Sequence, residues 1–333
     1  MRHTRRSFLG GLGVAATVGV IAHDLSFAET PQSSAPKPAT GSAEKSLFWI
    51  AAATPCDRNL RFDEEIYKDM LAWFKNQGAD GVVVLGSTGE YPSFSVAERK
   101  KIAEAALKHR SGLNIIVSSG TPNFPETIEL SQHAAANGAD GLLIIPPFYF
   151  KDPPLDGLIR YYSLIFEQVH IPINLYHYPR MSAVPIAPEL LHALEKYPNL
   201  AGIKDSSGDA AGYARFVQEF PKLNMRTGTG NNLKHALENG MGAILAEGNV
   251  FTKQVATVFA AKRAGKDIDE PLAKLRDAQA LLRPAGGGFA AMKYALSLQM
   301  GTRQSYARPP FVDITDDQMA KVRDGVQQLK QFA

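Results

Sequence analysis

The chain has 333 residues and a mass of 36.1 kDa, with 45% hydrophobic and 21% charged residues. This mixture is typical of a globular protein and excludes a wholly disordered chain or a collagen-like rod. The formal charge of +3 is too small at this length to indicate a nucleic-acid partner. A single cysteine, Cys56, excludes an intramolecular disulfide and a cysteine-clustered zinc site.

Residues 1–28 have the pattern of a twin-arginine export signal. Arg5 and Arg6 precede an uncharged, glycine-rich run over 8–22, and residues 26–28 form a small-x-Ala cleavage site. The uncharged run is shorter than the ~20 apolar residues of a stable transmembrane helix, so we expect no stable membrane anchor. The alternative is a basic start before a buried helix. The pattern predicts a mature protein that is periplasmic or secreted.

After this segment the composition changes twice. Residues 29–45 are rich in Pro, Ser, Ala and Thr, which is typical of a flexible linker. Residues 46–333 are interpreted as one catalytic body, in which short apolar runs alternate with longer amphipathic stretches such as Ser95–His109. In chain order the predicted strands are Phe48–Ala53, Gly81–Leu85, Asn114–Ser118, Gly141–Ile145, Ile171–Tyr176, Leu200–Lys204, Asn224–Gly228 and Gly242–Ala246.

Eight buried strands separated by helices predict a (β/α)8 TIM barrel with a C-terminal helical extension. A weak repeat supports this fold, because Gly78-Ala-Asp-Gly is echoed at Gly138 and again near Gly240, where each glycine is expected to end a helix. The rival is an open doubly wound sheet. That fold usually carries a G-x-G-x-x-G motif after its first strand, and none follows here.

In such a barrel the chemistry lies at the carboxyl ends of the strands. Lys204 ends the sixth predicted strand, where burial disfavours its ammonium form and a neutral amine could attack a ketone to form a Schiff base. A solvated lysine capping the strand is an equal alternative. Tyr176 ends the fifth strand and could relay a proton to the imine chemistry, although a core tyrosine would leave the same pattern.

Two loops after other strands also carry candidate groups. Ser87 and Thr88 lie between glycines after the second strand and could donate hydrogen bonds to a carboxylate, or simply form a turn. Tyr149 lies within an aromatic trio after the fourth strand. Its side chain could pack at the barrel rim or act as a second proton relay.

Together these residues resemble the pyruvate-dependent class I aldolase family, which includes dihydrodipicolinate synthase and N-acetylneuraminate lyase. The resemblance implies a TIM barrel without metal or organic cofactor, since a covalent lysine–pyruvate imine carries the chemistry. It also implies a homo-oligomer, dimer or tetramer, because Tyr149 matches a tyrosine that often reaches the neighbouring subunit's site. The resembling motifs run in order over residues 47–310: Thr54-Pro55, Gly86-Ser-Thr-Gly-Glu90, Pro147-Phe-Tyr149, Tyr176-His-Tyr-Pro179, Gly202-Ile-Lys204-Asp-Ser-Ser and Arg308-Pro-Pro.

The resemblance also implies roles for individual residues. Lys204 matches the Schiff-base lysine and Tyr176 the proton-donating tyrosine. Ser87 and Thr88 match the hydroxyl pair that holds the pyruvate carboxylate. Ile244 matches a residue at a strand end that lines the pyruvate site.

Two departures from the family pattern bear on the substrate. The synthases have an arginine two residues after the proline of the tyrosine motif, where it binds a distal carboxylate; here that position is Met181, and Arg180 is one place early. This argues, as export does, against a true dihydrodipicolinate synthase. Sialate lyases carry acidic residues after the seventh strand, whereas residues 228–232 here are polar but uncharged.

Three residues are the candidate specificity positions. Glu247 follows the eighth strand, and in the pocket it would bind hydroxyl or amino groups of the second substrate; a surface glutamate is the alternative. Asn231 lies in the uncharged loop after the seventh strand. His177 could contact substrate, although a histidine packed in the protein interior is at least as good an interpretation of this position.

These residues lead to a Schiff-base aldolase or lyase that joins pyruvate to an aldehyde or cleaves a 2-oxo acid to release it. A dehydratase or hydratase-aldolase would use the same imine. A periplasmic binding protein for oxo acids is a third function, against which the presence of both Lys204 and Tyr176 argues. A metal-dependent enzyme is the weakest rival, since the eight histidines show no H-E-x-x-H pattern. The identity of the second substrate stays open.

Overall fold

A computed structural model describes residues 47–332. Its centre is a closed ring of eight parallel strands in chain order, with the last strand paired to the first. This confirms the predicted (β/α)8 barrel. The strands are β1 (Phe48–Ala51), β2 (Gly81–Val84), β3 (Asn114–Ser118), β4 (Gly141–Ile144), β5 (Ile173–His177), β6 (Leu200–Asp205), β7 (Asn224–Thr227) and β8 (Ala243–Leu245).

The predicted export signal (1–28) and linker (29–45) lie outside the described residues. Within residues 47–332, none of the helices combines the length and the apolar character needed to span a bilayer.

Small differences between predicted and observed strands have local causes. β5 begins at Ile173 instead of Ile171, because Pro172 lacks the N–H that a strand interior must donate. β1 ends at Ala51 instead of Ala53, because the N–H of Ala53 donates to the side chain of Asn249 at 2.9 Å and leaves the strand ladder.

Helices surround the barrel, and their ends follow the capping signals of the sequence. The stretch predicted over 95–109 is a helix in which Ser95 and Glu98 form a capping box. The helices are α1 (Glu64–Asn76), α2 (Val96–Lys108), α3 (Phe124–Ala136), α4 (Leu155–Gln168), α5 (Pro179–Ser182), α6 (Pro188–Leu194), α7 (Ala210–Glu219), α8 (Leu233–Glu238), α9 (Thr252–Arg263), α10 (Asp269–Ala280), α11 (Phe289–Met300) and α12 (Asp316–Leu329).

The repeated glycines end helices as predicted. Gly78, Gly138 and Gly240 have φ angles of 97°, 84° and 71°, in the left-handed region that glycine adopts without strain. After α1 the N–H of Ala79 donates to the carbonyl of Phe74 at 3.0 Å, which satisfies an otherwise free helix carbonyl. The chain then turns directly into the next buried strand.

Inward-facing side chains fill the barrel in layers, because alternate strands of a staggered barrel contribute to alternate layers. Beneath them the even-numbered strands contribute only glycines, at 81, 141, 202 and 242. From the strand register we define a lower layer (Trp49, Ile116, Asn174, Arg226), a central layer (Val83, Leu143, Lys204, Ile244) and an upper layer (Ala51, Ser118, Tyr176, Gly228).

The C-terminal extension packs α10, α11 and α12 beside the barrel. Lys293 of α11 is buried and forms an ion pair with Glu90, which follows the loop after β2. The ammonium of Lys293 also donates to the carbonyl of Tyr306 at 2.7 Å. The extension is therefore tied by a buried charge pair to a loop at the carboxyl end of the barrel.

Candidate active site

Lys204 and Tyr176 meet at the carboxyl ends of β6 and β5. They are register partners on neighbouring strands, and Nζ of Lys204 lies 4.4 Å from the centre of the Tyr176 ring. Both side chains are buried, with 4% and 3% of their surface exposed. The structure therefore brings the two predicted catalytic residues into contact inside the barrel.

A glycine leaves the space that the lysine occupies. A Cβ atom at Gly228 would lie 3.0 Å from Cε of Lys204 and 2.0 Å from Oγ of Ser206. No larger residue fits there without displacing the lysine stem or the Ser206 hydroxyl. The glycine in the upper layer thus permits the close approach of β7 to Lys204.

The loop after β2 holds Ser87 and Thr88 in a tight turn. Leu85 and Glu90, on either side of the loop, have φ angles of 58° and 55°. This left-handed conformation is energetically unfavourable for residues other than glycine. The hydroxyl of Thr54 donates to the carbonyl of Gly89 at 2.9 Å. Thr88 is buried and Ser87 is half-buried. Two neighbouring hydroxyls on a turn at this rim suit the binding of a small carboxylate.

Buried charges anchor the same loop from behind. Besides its ion pair with Lys293, Glu90 accepts a hydrogen bond from the backbone N–H of Arg308 at 2.7 Å. The Arg308 guanidinium in turn donates to the carbonyl of Ser93 at 2.7 Å and to Glu98 at 2.6 Å. These contacts explain how the strained turn is held in place.

Glu247 follows β8 and lies close to the loop after β7. A Cβ atom at Gly230 would lie 2.7 Å from its Oε1, so the loop backbone packs directly on the carboxylate. Burial raises the pKa of Glu247, and the charge of Lys204 and nearby backbone N–H groups only partly oppose this. A carboxyl group with a raised pKa near the lysine can exchange a proton or bind a polar substrate group.

Asn231 lies in the loop that packs against Glu247. It belongs to a short 3-10 turn over Gly230–Asn232, and its side chain is exposed. Ile244 faces inward from β8 in the same apolar cluster as Tyr176. Of the two predicted positions, Asn231 is thus polar and exposed, whereas Ile244 is apolar and buried inside the barrel.

His177 is buried but faces away from the barrel interior. Its Nδ1 accepts a hydrogen bond from the N–H of Ile186 at 3.0 Å, and its ring packs edge-on against Phe216 of α7. Burial lowers its pKa, while the nearby Asp205 and Asp209 act in the opposite direction. This placement is that of the packed histidine and lends no support to a substrate contact.

Tyr149 is not brought to Lys204 within its own chain. It is 73% exposed and stacks edge-on with Phe150, itself 70% exposed, with ring centres 5.3 Å apart. Two large aromatic side chains thus project from one loop at the barrel rim and have little contact with the rest of the chain.

Met181 and Arg180 follow Tyr176 at the point where the sequence departs from the synthase pattern. Met181 is 55% exposed at the position that matches the synthases' arginine. Arg180 donates to the hydroxyl of Tyr178 at 3.1 Å, and the Tyr178 ring lies 5.6 Å from that of Tyr176. The guanidinium is therefore engaged at the surface by an aromatic neighbour.

Sequence reasoning missed Arg226 and Asn174, which lie in the lower layer of the barrel. Arg226 is the register partner of Lys204 on β7, and its Nη1 donates to Oδ1 of Asn174 at 2.6 Å. The available signal was a charged residue inside a buried strand, Asn-Met-Arg-Thr, at an inward-facing position. Within residues 47–332, no group of three or more His, Cys, Asp or Glu side chains is placed to hold a metal ion.

The fold and these residues define a (β/α)8 barrel with a buried lysine–tyrosine pair at neighbouring strand ends. Residues 46–329 match the model of the dihydrodipicolinate synthetase family. The chain therefore belongs to this family, whose members are class I pyruvate-dependent lyases that use a lysine–pyruvate Schiff base.

Individual relatives are similar over most of their length. An uncharacterized DapA-like lyase of Chloroflexus aurantiacus is 31% identical over 272 residues, which cover 80% of this chain and 91% of the relative. A 4-hydroxy-tetrahydrodipicolinate synthase of Brucella suis is 32% identical over 275 residues, covering 79% and 91%. The structure of YagE, an Escherichia coli prophage protein of the same family in complex with pyruvate, superposes with a TM-score of 0.78 at 27% identity, covering 86% and 98%.

Proposed function

We propose that the protein is a Schiff-base aldolase or lyase that cleaves a 2-oxo acid to pyruvate and an aldehyde, or joins the two. The observation that carries this proposal is the buried contact in which Nζ of Lys204 lies 4.4 Å from the centre of the Tyr176 ring. A primary amine beside a phenol, in a site that excludes water, combines a nucleophile with a proton relay.

In the proposed reaction the Lys204 amine attacks the ketone carbon of pyruvate. The resulting carbinolamine loses water to give the imine, and Tyr176 carries the proton to the departing oxygen. Ser87 and Thr88 donate hydrogen bonds to the pyruvate carboxylate, and Ile244 packs against the three-carbon unit. In synthesis the protonated imine loses a proton from its methyl carbon to give an enamine, and this carbon attacks the aldehyde while the aldehyde oxygen takes up a proton. In cleavage the hydroxyl of the substrate imine loses its proton as the C–C bond breaks, which releases the aldehyde and leaves the enamine; protonation of the enamine carbon and hydrolysis of the imine then release pyruvate.

Trapping with borohydride tests the imine. Treatment with pyruvate and borohydride should leave a reduced adduct on the peptide that contains Lys204, detected by mass spectrometry. The adduct should be absent from Lys204→Met and present in Lys253→Met, a control at an exposed lysine. An unmodified Lys204 peptide in the folded wild-type protein would overturn the proposal.

We infer that the aldehyde is not the one used by the dihydrodipicolinate synthases, which bind a distal carboxylate of their substrate with arginine. Met181 cannot pair with a carboxylate, and Arg180 is held by Tyr178 at the surface. The Brucella relative bears a synthase name, and this chain should differ from it in assay. Condensation of pyruvate with the aldehyde of the dihydrodipicolinate synthases, at a rate typical of such a synthase, would contradict this inference.

Glu247 supports a second substrate that carries hydroxyl or amino groups. An acceptor carboxyl in the pocket would bind such groups and repel an acidic aldehyde. A panel of polyhydroxylated, aromatic and acidic aldehydes, assayed with wild type and Glu247→Gln, identifies the class. Equal turnover of all classes by both proteins would contradict a specificity role for Glu247.

A dehydratase or hydratase-aldolase is the second candidate, and the raised pKa of Glu247 favours it. A carboxyl that retains its proton can donate it to a hydroxyl leaving group. Product analysis with 2-oxo sugar acids separates the two, since elimination of water keeps the carbon chain intact whereas aldol cleavage releases free pyruvate.

Two further proposals concern the whole protein. The exposed Tyr149 and Phe150 support a homo-oligomer in which Tyr149 contributes to a neighbouring subunit's site. A Tyr149→Ala variant with full activity and unchanged sedimentation would contradict this arrangement.

The twin-arginine pattern of residues 1–28 supports export. Cell fractionation of wild type and an Arg5→Lys/Arg6→Lys variant tests this, and equal periplasmic amounts would contradict it.

A further inference from the structure

The β5–α6 connection (residues 178–187) is closed by one side chain. Nδ1 of His177, the last residue of β5, accepts a hydrogen bond from the N–H of Ile186 at 3.0 Å, nine residues further along the chain. Both residues are buried, with 8% and 2% of their surface exposed. A buried N–H that loses its acceptor is costly, so the imidazole fixes where the connection returns to the barrel.

The β5–α6 connection covers the barrel mouth beside the proposed catalytic pair. Tyr178, its first residue, packs against the apolar cluster of the barrel interior, and its ring centre lies 5.6 Å from that of Tyr176. Arg180 donates to the hydroxyl of Tyr178 at 3.1 Å. Ala183 follows α5 with a φ angle of 56°, which is unfavourable for a residue other than glycine. A connection that includes such a residue depends on its contacts with the barrel for its position.

The acceptor role of His177 requires the neutral imidazole. A ring nitrogen that accepts a hydrogen bond carries no proton, so the neutral ring has its proton on Nε2, and protonation of Nδ1 removes the acceptor. Burial lowers the pKa of His177, while the carboxylates of Asp205 and Asp209 act in the opposite direction.

These two carboxylates are the charges that face the ring. Asp205 is the register partner of His177 on β6, and Asp209 caps the start of α7. The helix itself presents the apolar Phe216, and residues 183–187 are uncharged. Because the pKa of His177 is lowered, the hydrogen bond should be complete at neutral pH and should be lost as pH falls below the ordinary histidine pKa of about 6.5.

We propose that His177 is a positioning residue, whose neutral imidazole holds the β5–α6 connection over the pocket and whose protonation releases it. This inference rests on the proposed Schiff-base function. In that reaction the pyruvate unit is bound by Lys204 and the loop after β2, so its imine should form whether or not the connection is held. The part of a 2-oxo acid that extends beyond these three carbons would contact the connection, and its binding should depend on His177.

Amide exchange tests the hydrogen bond. Deuterium exchange of the peptides that contain Ile186 and Ser206 is followed by mass spectrometry between about pH 5 and pH 8, as protection relative to unstructured chain at the same pH. Protection at Ile186 should fall about tenfold on acidification of the wild type. The N–H of Ser206 donates to the backbone carbonyl of His177 at 2.8 Å. This acceptor does not titrate, so protection at Ser206 should stay constant.

Two variants separate the hydrogen bond from the bulk of the side chain. His177→Asn keeps an acceptor oxygen but cannot titrate in this range, so Ile186 should be protected at every pH. His177→Leu has no acceptor and should leave Ile186 with low protection even at the alkaline end. His192→Asn is the matched control, because His192 is an exposed histidine of α6 paired with Glu195 and Glu219. This variant should retain the wild-type profile.

Adducts on Lys204 test the effect on the site. The probes are pyruvate and 2-oxohexanoate, which has a longer chain and no 4-hydroxyl, so aldol cleavage cannot consume it. The concentration for half-maximal adduct formation with cyanoborohydride is measured for each acid at neutral pH. In His177→Leu the value for 2-oxohexanoate should rise about fivefold relative to that for pyruvate. His177→Asn should restore the wild-type ratio.

The outcomes distinguish this inference from the proposed function. Protection at Ile186 that is independent of pH in the wild type, or that falls equally in His177→Asn, would overturn the role of His177. An unchanged ratio of the two acids in a folded His177→Leu would overturn it as well. If His177→Leu does not fold by circular dichroism, the pH series of wild type and His177→Asn decides. The lack of a pyruvate adduct in the wild type would instead overturn the proposed function and leave the exchange result unaffected.

Discussion

At the scale of single residues, the site depends on where a lysine and a tyrosine point. Successive residues of a strand face opposite sides, so Lys204 and Tyr176 face the barrel interior while Asp205 and His177 face the helices. The same alternation makes Arg226 an interior residue. One step along the chain therefore separates a residue that can meet substrate from one that packs against a helix.

The first prediction concerns the phenol of Tyr176. Tyr176→Phe keeps the ring beside Lys204 but removes the proton relay, so turnover should fall by about 100-fold or more. Adduct formation with borohydride should persist at long incubation times, since the amine is intact. Tyr178→Phe is the control, because its ring lies 5.6 Å from that of Tyr176 and its hydroxyl accepts from Arg180. Equal turnover by the two variants would contradict the assigned relay.

The second prediction concerns the carboxyl of Glu247. Its pKa is raised in the folded protein, so its favourable contribution is complete below the ordinary glutamate pKa and is lost as pH rises through the raised value. The wild type should therefore become less stable relative to Glu247→Gln as pH rises from the acid range. Thermal unfolding at a series of pH values measures this, with the exposed Glu238→Gln as control. A difference independent of pH would contradict the burial of an ionisable group.

At the scale of elements, α2 connects the barrel to the C-terminal segment through one side chain. Glu98 forms the capping box with Ser95 and accepts a hydrogen bond from Arg308 at 2.6 Å. One carboxylate thus satisfies free N–H groups of a helix start and fixes a guanidinium from a distant segment. The helix start is thereby coupled to the segment that anchors the loop of Ser87 and Thr88.

The third prediction follows from this contact. The hydrogen bond from Arg308 is the main cause that lowers the pKa of Glu98 to about 2. The corresponding stability is present above the ordinary glutamate pKa and is lost as pH falls toward about 2. Denaturant unfolding of wild type and Glu98→Gln should show a gap that narrows with acidification. Glu129→Gln removes an exposed pair with Lys100 at 2.6 Å and should show little gap at any pH.

At the scale of the whole molecule, the C-terminal extension is bound to the barrel through the buried pair of Lys293 and Glu90. The pair lies behind the turn that carries Ser87 and Thr88. Loss of one partner leaves the other charge buried and unpaired, which costs more than loss of both. The extension is thus part of the framework that holds the proposed carboxylate-binding loop.

The fourth prediction tests this connection. Lys293→Met should lower the free energy of unfolding by about 3–5 kcal/mol, and the double variant Lys293→Met/Glu90→Gln should be destabilised less than the sum of the single variants. The single variant should also raise the KM for pyruvate more than it lowers kcat, because it loosens the loop and leaves Lys204 in place. Additive stability losses, or an unchanged KM in a folded variant, would contradict the connection.

Much of the barrel follows from local patterns. Apolar runs, the helix start at Ser95 and the glycines after helices are local signals, and the structure has the elements where those signals predicted them. Because consecutive strands of such a barrel are neighbours, the order of Tyr176 and Lys204 along the chain already implied their contact. The predicted strand ends were less accurate than the predicted strands. At Ala53, for example, the N–H donates to the side chain of Asn249 from a distant loop instead of to the neighbouring strand.

By itself the sequence determined the fold class, the family and the two residues that meet at the centre of the barrel, because these depend on short-range periodicity and on the order of strands. Only the tertiary structure decided that His177 faces outward, that Glu247 is half-buried against the loop at Gly230, and that Arg226 lies beneath Lys204 without a carboxylate partner in the described chain. The physical reason is that burial and electrostatics depend on which distant segments close around a side chain, and the stagger of the closed barrel sets those neighbours.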